Sequence, residues 1–162
     1  MKKYIFIFLL FMSKKGVSQY LNTSGSWYPN VASNVIAEAG LNYNTTYKIQ
    51  SQTNQTMLNL SLGGGIFNTL FNGWQVDVSR SDIHWNSNLK LEVKRTSNGT
   101  GSIFSSISGG TIDQQVLTSN SSFFNGVGNF SNISVQYQIS GFSVLIPVDT
   151  YSTTVIFTLI DN

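Results

Sequence analysis

The chain lacks cysteine altogether, and proline, histidine and charged residues are scarce. Among 162 residues there are two prolines and one histidine, and charged residues make up 10% of the total, against about 25% in average globular domains. The absence of cysteine excludes disulfide bonds and zinc sites built on thiolate ligands. With so little charge, solubility must come from serine, threonine, asparagine and glutamine. The hydrophobic content of 41%, with 13% aromatics, nevertheless indicates a folded domain and not a disordered segment.

A short leader with a basic start and an apolar centre occupies residues 1–19. Lys2 and Lys3 precede the apolar run from Tyr4 to Met12, and small or polar residues from Val17 to Gln19 precede Tyr20. This order is typical of a secretory signal peptide, and the run is shorter than the roughly 20 apolar residues that a membrane-spanning helix needs. We therefore expect one mature domain over residues 20–162. It would be periplasmic, cell-surface or extracellular, with no stable membrane insertion after signal cleavage.

Cleavage of the leader would reverse the sign of the net charge. Removing Lys2, Lys3, Lys14 and Lys15 from the nine basic residues leaves five against seven acidic ones, so the formal charge falls from +2 to −2. A weakly acidic domain lacks the basic surface that binds nucleic acid, and it lacks the polybasic cluster that binds anionic lipid. We expect no nucleic-acid partner.

Alternation of apolar and polar residues with a period of two recurs along the chain and predicts β-strands. Asn72-Gly73 and Asn98-Gly99 are turn signals, because asparagine and glycine tolerate a positive φ. Seven to nine strands at this spacing predict an all-β fold, an immunoglobulin-like antiparallel β-sandwich with Greek-key connections, with a closed β-barrel as the alternative. The alternating segments are 34–39, 47–51, 57–62, 74–78, 89–94, 133–139 and 154–160, with weaker strands at 103–107 and 112–117 and an apolar run at 142–148.

The residues needed for catalysis are sparse. His84 is the sole histidine, and no G-x-S-x-G elbow accompanies it, so a serine–histidine–aspartate site is not expected. Asp77 and Glu92 lie at polar positions of their strands, where we expect surface pairing with Arg80, Lys90 or Lys94 and not acid–base chemistry. Neither a calcium loop nor a phosphate loop is present. The sequence therefore predicts a protein that is not an enzyme, with no catalytic residue, metal site or cofactor.

Aromatic residues provide the ligand-binding hypothesis. Exposed aromatic rings in β-sandwich domains can stack on sugar rings, while amide side chains bind the hydroxyl groups. Trp74 alternates with Val76 and Val78 and is expected in the core. Trp27 and Trp85 lie in polar surroundings and are the candidate ligand-binding residues.

The C-terminal stretch from Ile146 to Asp161 reads IPVDTYSTTVIFTLID. It resembles the closing strands of secreted bacterial pilin-like sandwich domains, as in spore-coat-U-like, fimbrial and WxL-type surface proteins. The chain departs from chaperone–usher pilins because it lacks a cysteine pair and an evident N-terminal donor extension. The residues that match a Y-x-x-T-V-x-F-T-L pattern are Tyr151, Thr154, Val155, Phe157, Thr158 and Leu159.

These observations favour a non-catalytic, secreted bacterial surface protein, first of all a pilin-like structural or fibre subunit. The terminal strand is long, uncharged and apolar on both faces, so we expect it at the centre of a sheet or paired with another chain. Its partner would be a second copy or another surface subunit, joined by strand addition. The alternative function is a carbohydrate-binding or adhesive module that binds a glycan. The expected assembly strand comprises Thr154, Val155, Ile156, Phe157, Thr158, Leu159 and Ile160.

Overall fold

A computed structural model of the chain describes residues 19–31, 47–63 and 72–161, which form strands and loops and contain no helix. Residues 1–18 of the leader and the expected strand at 34–39 lie outside these residues. None of the described residues forms a helix that could cross a membrane. The strands are β1 (Tyr20–Ser24), β2 (Ile49–Gln50), β3 (Thr56–Ser61), β4 (Gly73–His84), β5 (Lys90–Arg95), β6 (Thr100–Gly101), β7 (Ser106–Gly109), β8 (Gln114–Gln115), β9 (Ser121–Val127), β10 (Phe130–Ser140) and β11 (Ser152–Asp161).

The first sheet is built around β10. On one side β10 pairs with β3 and, further along, with the short β2, and on the other side it pairs with β6 and then β5. Beyond these neighbours, β1 pairs with β3 and β8 pairs with β5, and every pairing is antiparallel. β10 is thus the central strand of this sheet.

The second sheet has the order β11-β4-β9-β7 and is also antiparallel. Its long central strand β4 has twelve residues. The chain passes between the two sheets several times. At the crossing just after β8, Val116 N–H donates to Leu91 O and Arg80 N–H donates to Leu117 O, both at 2.8 Å. The prediction of an all-β fold with two antiparallel sheets is confirmed, and within the described residues the sheets do not close into a barrel. The immunoglobulin-like Greek-key plan stays a prediction.

The core lies between the two sheets and contains the apolar positions that the period-two pattern places inward. Trp74 and Val76 are fully buried in β4, and Val93 and Val135 are fully buried in the facing sheet. The Trp74 indole N–H donates to Gly128 O at 2.8 Å, so its one polar atom is satisfied. Burying each such side chain is worth about 1.5–3 kcal/mol. The other buried apolar residues are Leu58, Leu60, Leu62, Val78, Leu89, Leu91, Val116, Phe123, Phe124, Phe130, Ile133, Tyr137, Ile139 and Phe142.

Three weaker predictions need correction. The apolar run at 142–148 is a loop and not a strand. Ile103 and Ile112 are more than four-fifths exposed and lie outside β7 and β8. Short apolar runs are ambiguous because local hydrophobicity does not reveal whether a facing strand exists.

The expected charge pairs are also different. Asp77 is buried and accepts a bond from Gln75 Nε2 at 2.6 Å. Glu92 pairs with Lys48 at 3.7 Å, a residue that the sequence did not suggest as its partner. The reason is that β10 brings β2 near β5, so distant polar residues share one face.

Candidate functional site

The terminal strand β11 is an edge strand. It pairs with β4 along its length, from Thr153↔Asp82 to Asp161↔Trp74, and it pairs with no other described strand. Of the two positions expected for this strand, the centre of a sheet is therefore wrong, and pairing with another chain stays a prediction. β1, which is at one edge of the first sheet, lies beside it. The edges of the two sheets meet on one side of the molecule.

No side chain of β11 is fully buried. Val155, Phe157 and Leu159 pack against the core but stay half-buried, whereas the inward residues of β4 are inaccessible. On the outer face, Ile156 is 42% exposed and Ile160 is 36% exposed. Because these side chains need more cover than one neighbouring strand supplies, β11 is a surface suited to pairing with another strand.

A second candidate site is a groove at the end of the molecule where β4 and β10 finish. Its volume is about 640 Å³, which lies in the range of ordinary ligand-binding clefts. The loop between β10 and β11 forms one wall, and residues 29–31 form another. The apolar lining residues are Pro29, Val31, Ile49, Trp85, Leu89, Ile139, Phe142, Val144, Ile146, Pro147, Val148 and Tyr151.

Two of the three aromatic residues of this groove, Trp85 and Tyr151, have polar atoms, and these are engaged within the protein. The Trp85 indole N–H donates to Leu89 O at 3.1 Å, and the Arg80 guanidinium lies 5.3 Å from the centre of the Trp85 ring. The Tyr151 hydroxyl donates to Pro147 O at 2.8 Å. These contacts hold the rings in place, so the groove offers mainly ring faces and aliphatic side chains to a ligand.

His84 and Asp149 lie at the rim of this groove. The distance from His84 Nε2 to Asp149 Oδ2 is 3.0 Å, and the His84 ring stacks on Tyr151 at 5.5 Å between centroids. The pKa of Asp149 is lowered by the hydrogen bond from the Thr150 backbone N–H and, after that, by His84. The hydrogen-bond partner of His84 among the described residues is thus a carboxylate and not a hydroxyl group.

The structure separates the two tryptophans that the sequence grouped together. Trp27 is half-buried and stacks on Tyr137 at 6.3 Å between centroids, so one of its faces is engaged in packing. Trp85 lies in the groove, where a ligand can contact it. The sequence did not indicate the groove, because its walls come from loops distant along the chain. The signal in the sequence that could have indicated the groove was the apolar run at 142–148, which includes Pro147 and lines it.

Comparison of the chain with protein-family models, with curated proteins and with solved structures found no match. Among the described residues, no group of three or more histidine, aspartate or glutamate side chains is placed to hold a metal ion. The β11 edge and the groove are therefore the two candidate functional surfaces of the described residues.

Proposed function

We propose that the protein is a non-catalytic structural subunit of the bacterial cell surface, of the pilin-like kind, which joins other chains by strand addition at β11. The observation that carries this proposal is the edge position of a ten-residue strand that has apolar side chains on both faces and no charge from Ser152 to Ile160. Its partner is a second copy of the chain or another surface subunit. The leader and the resemblance of the C-terminal stretch support a surface location.

The physical reason is that an uncharged edge strand is an open template for pairing. Sheets that must stay unpaired usually carry lysine, proline or bulges on their edges. β11 has a register shift between Ser152 and Thr153 and regular pairing after it, and its one charged residue is Asp161 at the end. An added strand would satisfy outward backbone groups and cover the half-buried Val155, Phe157 and Leu159. Main-chain hydrogen bonds would then supply affinity, and the side-chain pockets would supply specificity.

A charged substitution on the edge tests this proposal. Ile156→Lys adds an edge charge at a side chain that is already 42% exposed, and Ile112→Lys is the matched control because Ile112 is 81% exposed in a loop outside the β11 edge. We expect wild type and Ile112→Lys to associate as concentration rises, and Ile156→Lys to lose this association. Size-exclusion chromatography with light scattering gives the mass. Hydrogen exchange should show the β11 amides that face away from β4 protected in the assembled wild type and in Ile112→Lys, and not in Ile156→Lys.

A wild type that stays a sharp monomer at every concentration, also in the presence of other surface subunits, would refute the proposal. Association that is equally strong in Ile156→Lys would place the contact elsewhere.

The alternative function, glycan binding, depends on Trp85 in the groove. Retention of a glycan by a monomeric wild type, with loss in Trp85→Ala, would favour that alternative.

A further inference from the structure

Arg95, the last residue of β5, is a buried cation. It is 5% exposed, and desolvation by burial lowers its pKa. Its Nε and Nη2 donate to Gly109 O at 3.0 and 2.8 Å, and the guanidinium carbon lies 5.9 Å from the centre of the Phe124 ring. No salt bridge among the described residues includes Arg95. Within this part of the chain its charge is compensated by neutral groups alone, which is unfavourable for a buried cation.

The remaining nitrogen of this guanidinium contacts an asparagine that precedes a glycine. Nη1 donates to Asn98 Oδ1 and, at 3.4 Å, to Ser97 O. Asn98 and Gly99 are exposed in the turn between β5 and β6. The Gly99 N–H donates a long hydrogen bond, at 3.3 Å, to Ser97 Oγ. Water can therefore reach the Asn98 carboxamide, and the oxygen of that carboxamide is bonded to a cation.

An asparagine followed by glycine can lose its side-chain amide by an intramolecular reaction, because glycine has no side chain to obstruct the attack. The Gly99 nitrogen loses its proton to hydroxide and forms a bond to Asn98 Cγ. The bond from Cγ to the amide nitrogen breaks, and ammonia leaves with a proton taken from water. A second water then opens the cyclic imide to a carboxylate, as aspartate or isoaspartate. Negative charge develops on Oδ1 as the first bond forms, and a guanidinium bonded to that atom stabilises it.

We propose that Asn98 is a self-modification site, at which Arg95 promotes deamidation by the Gly99 nitrogen and then pairs with the carboxylate that is formed. The carboxylate oxygen takes the place of Oδ1, which already accepts the Nη1 bond. Hydrogen bonds between two ionised groups are roughly twice as strong as neutral ones, so the buried cation favours the acid over the amide. The inference is independent of strand addition, because this turn belongs to the first sheet and β11 to the second.

Another asparagine–glycine pair in the same chain is an internal reference. Gly126 is held in β9 between Trp74 of β4 and Ile107 of β7, so its nitrogen is not free to move towards the Asn125 side chain. Among the described residues, no cation bonds Asn125. Folding should therefore slow deamidation at Asn125 and accelerate it at Asn98.

Deamidation rates in the folded and unfolded protein test this difference. The whole protein is incubated at mildly alkaline pH with and without urea, and the peptides that contain Asn98 and Asn125 are quantified by mass spectrometry. Removing one donor to a developing oxyanion costs enzymes about 100- to 1,000-fold in rate. We therefore expect Asn98 to deamidate at least about tenfold faster in the folded protein than in urea. An equal or slower rate in the folded protein would overturn the inference.

Two substitutions test the role of Arg95 separately. Arg95→Gln removes the charge, and the folded variant, checked by circular dichroism, should lose the acceleration at Asn98. Asn98→Asp supplies the product with Arg95 unchanged, and its thermal midpoint should rise by about 2–4 °C. Asn125→Asp is the matched control and should show no rise. An unchanged acceleration in folded Arg95→Gln, or a midpoint of Asn98→Asp no higher than that of wild type, would overturn the inference.

Discussion

Replacing Phe104 by asparagine should relieve backbone strain. Phe104 has a φ of 63°, in the left-handed region of the backbone. This conformation costs a residue other than glycine or asparagine about 1–2 kcal/mol. Phe104 is 82% exposed, so less than a fifth of a side chain of about 200 Å² is buried, and its loss costs at most about 1 kcal/mol. Ile103→Asn is the matched control because Ile103 is 81% exposed and is not among the residues with a positive φ. Phe104→Asn should therefore be more stable than Ile103→Asn by about 1–2 kcal/mol.

Urea unfolding followed by circular dichroism measures this difference directly, at a protein concentration low enough to keep every variant monomeric. In thermal unfolding it should correspond to a midpoint about 3–6 °C higher for Phe104→Asn. Equal stability of the two variants would mean that Phe104 stores no strain. If Phe104→Asn were less stable than Ile103→Asn, the reasoning would be refuted. The Phe104 ring of the wild type would then contribute more packing energy than its exposure allows.

Three further outcomes follow from packing and ionisation. Gly126→Ala should cost about 1–3 kcal/mol or more, because the added Cβ would lie 2.4 Å from Ser106 O; a melting curve like that of wild type would contradict this. Burial raises the pKa of Tyr137 above its ordinary 10.0, so the folded state favours the neutral phenol and stability should fall as pH rises past 10.0. The fall should be smaller in Tyr137→Phe, measured by urea unfolding on both sides of that pH. The pKa of Asp149 is lowered from 3.8, so its stabilising contribution is present above 3.8 and lost as pH falls below it; an NMR titration should show the pKa rise part of the way back in His84→Ala, and an unchanged value would exclude the ion pair.

The inward residues of the longer strands were predictable because alternation is a local property. Leu58 and Leu60, or Val93 in β5, are apolar at every second position, and burying that face decides the register. Trp74 was predicted in the core for the same reason and is fully buried. The structural role of each of these residues can be inferred from the residues immediately before and after it in the sequence.

The position of a strand within its sheet was not predictable in the same way. β11 has a strong alternating pattern, yet whether it has one neighbouring strand or two depends on residues far away in sequence. The groove raises the same difficulty, because Pro29, Trp85 and Val144 meet there from three separate loops. Phe104 was read as part of a weak strand, since nothing in an isoleucine–phenylalanine pair indicates a turn with a positive φ.

The central position of β10 has a consequence for how the chain folds. Leu58 of β3 pairs with Ile133, and Leu91 of β5 pairs with Ile139, so the strand that joins β3 to β5 is absent until the last third of the chain is present. Closing such long loops is slow. A chain synthesised from its N-terminus would therefore hold the β1–β3 pair and the β5–β8 pair apart, each with an open edge and an apolar face exposed to aggregation, until β10 joins them. We expect refolding to be slow and yields to improve at low protein concentration, because completion of the first sheet is a late and single event.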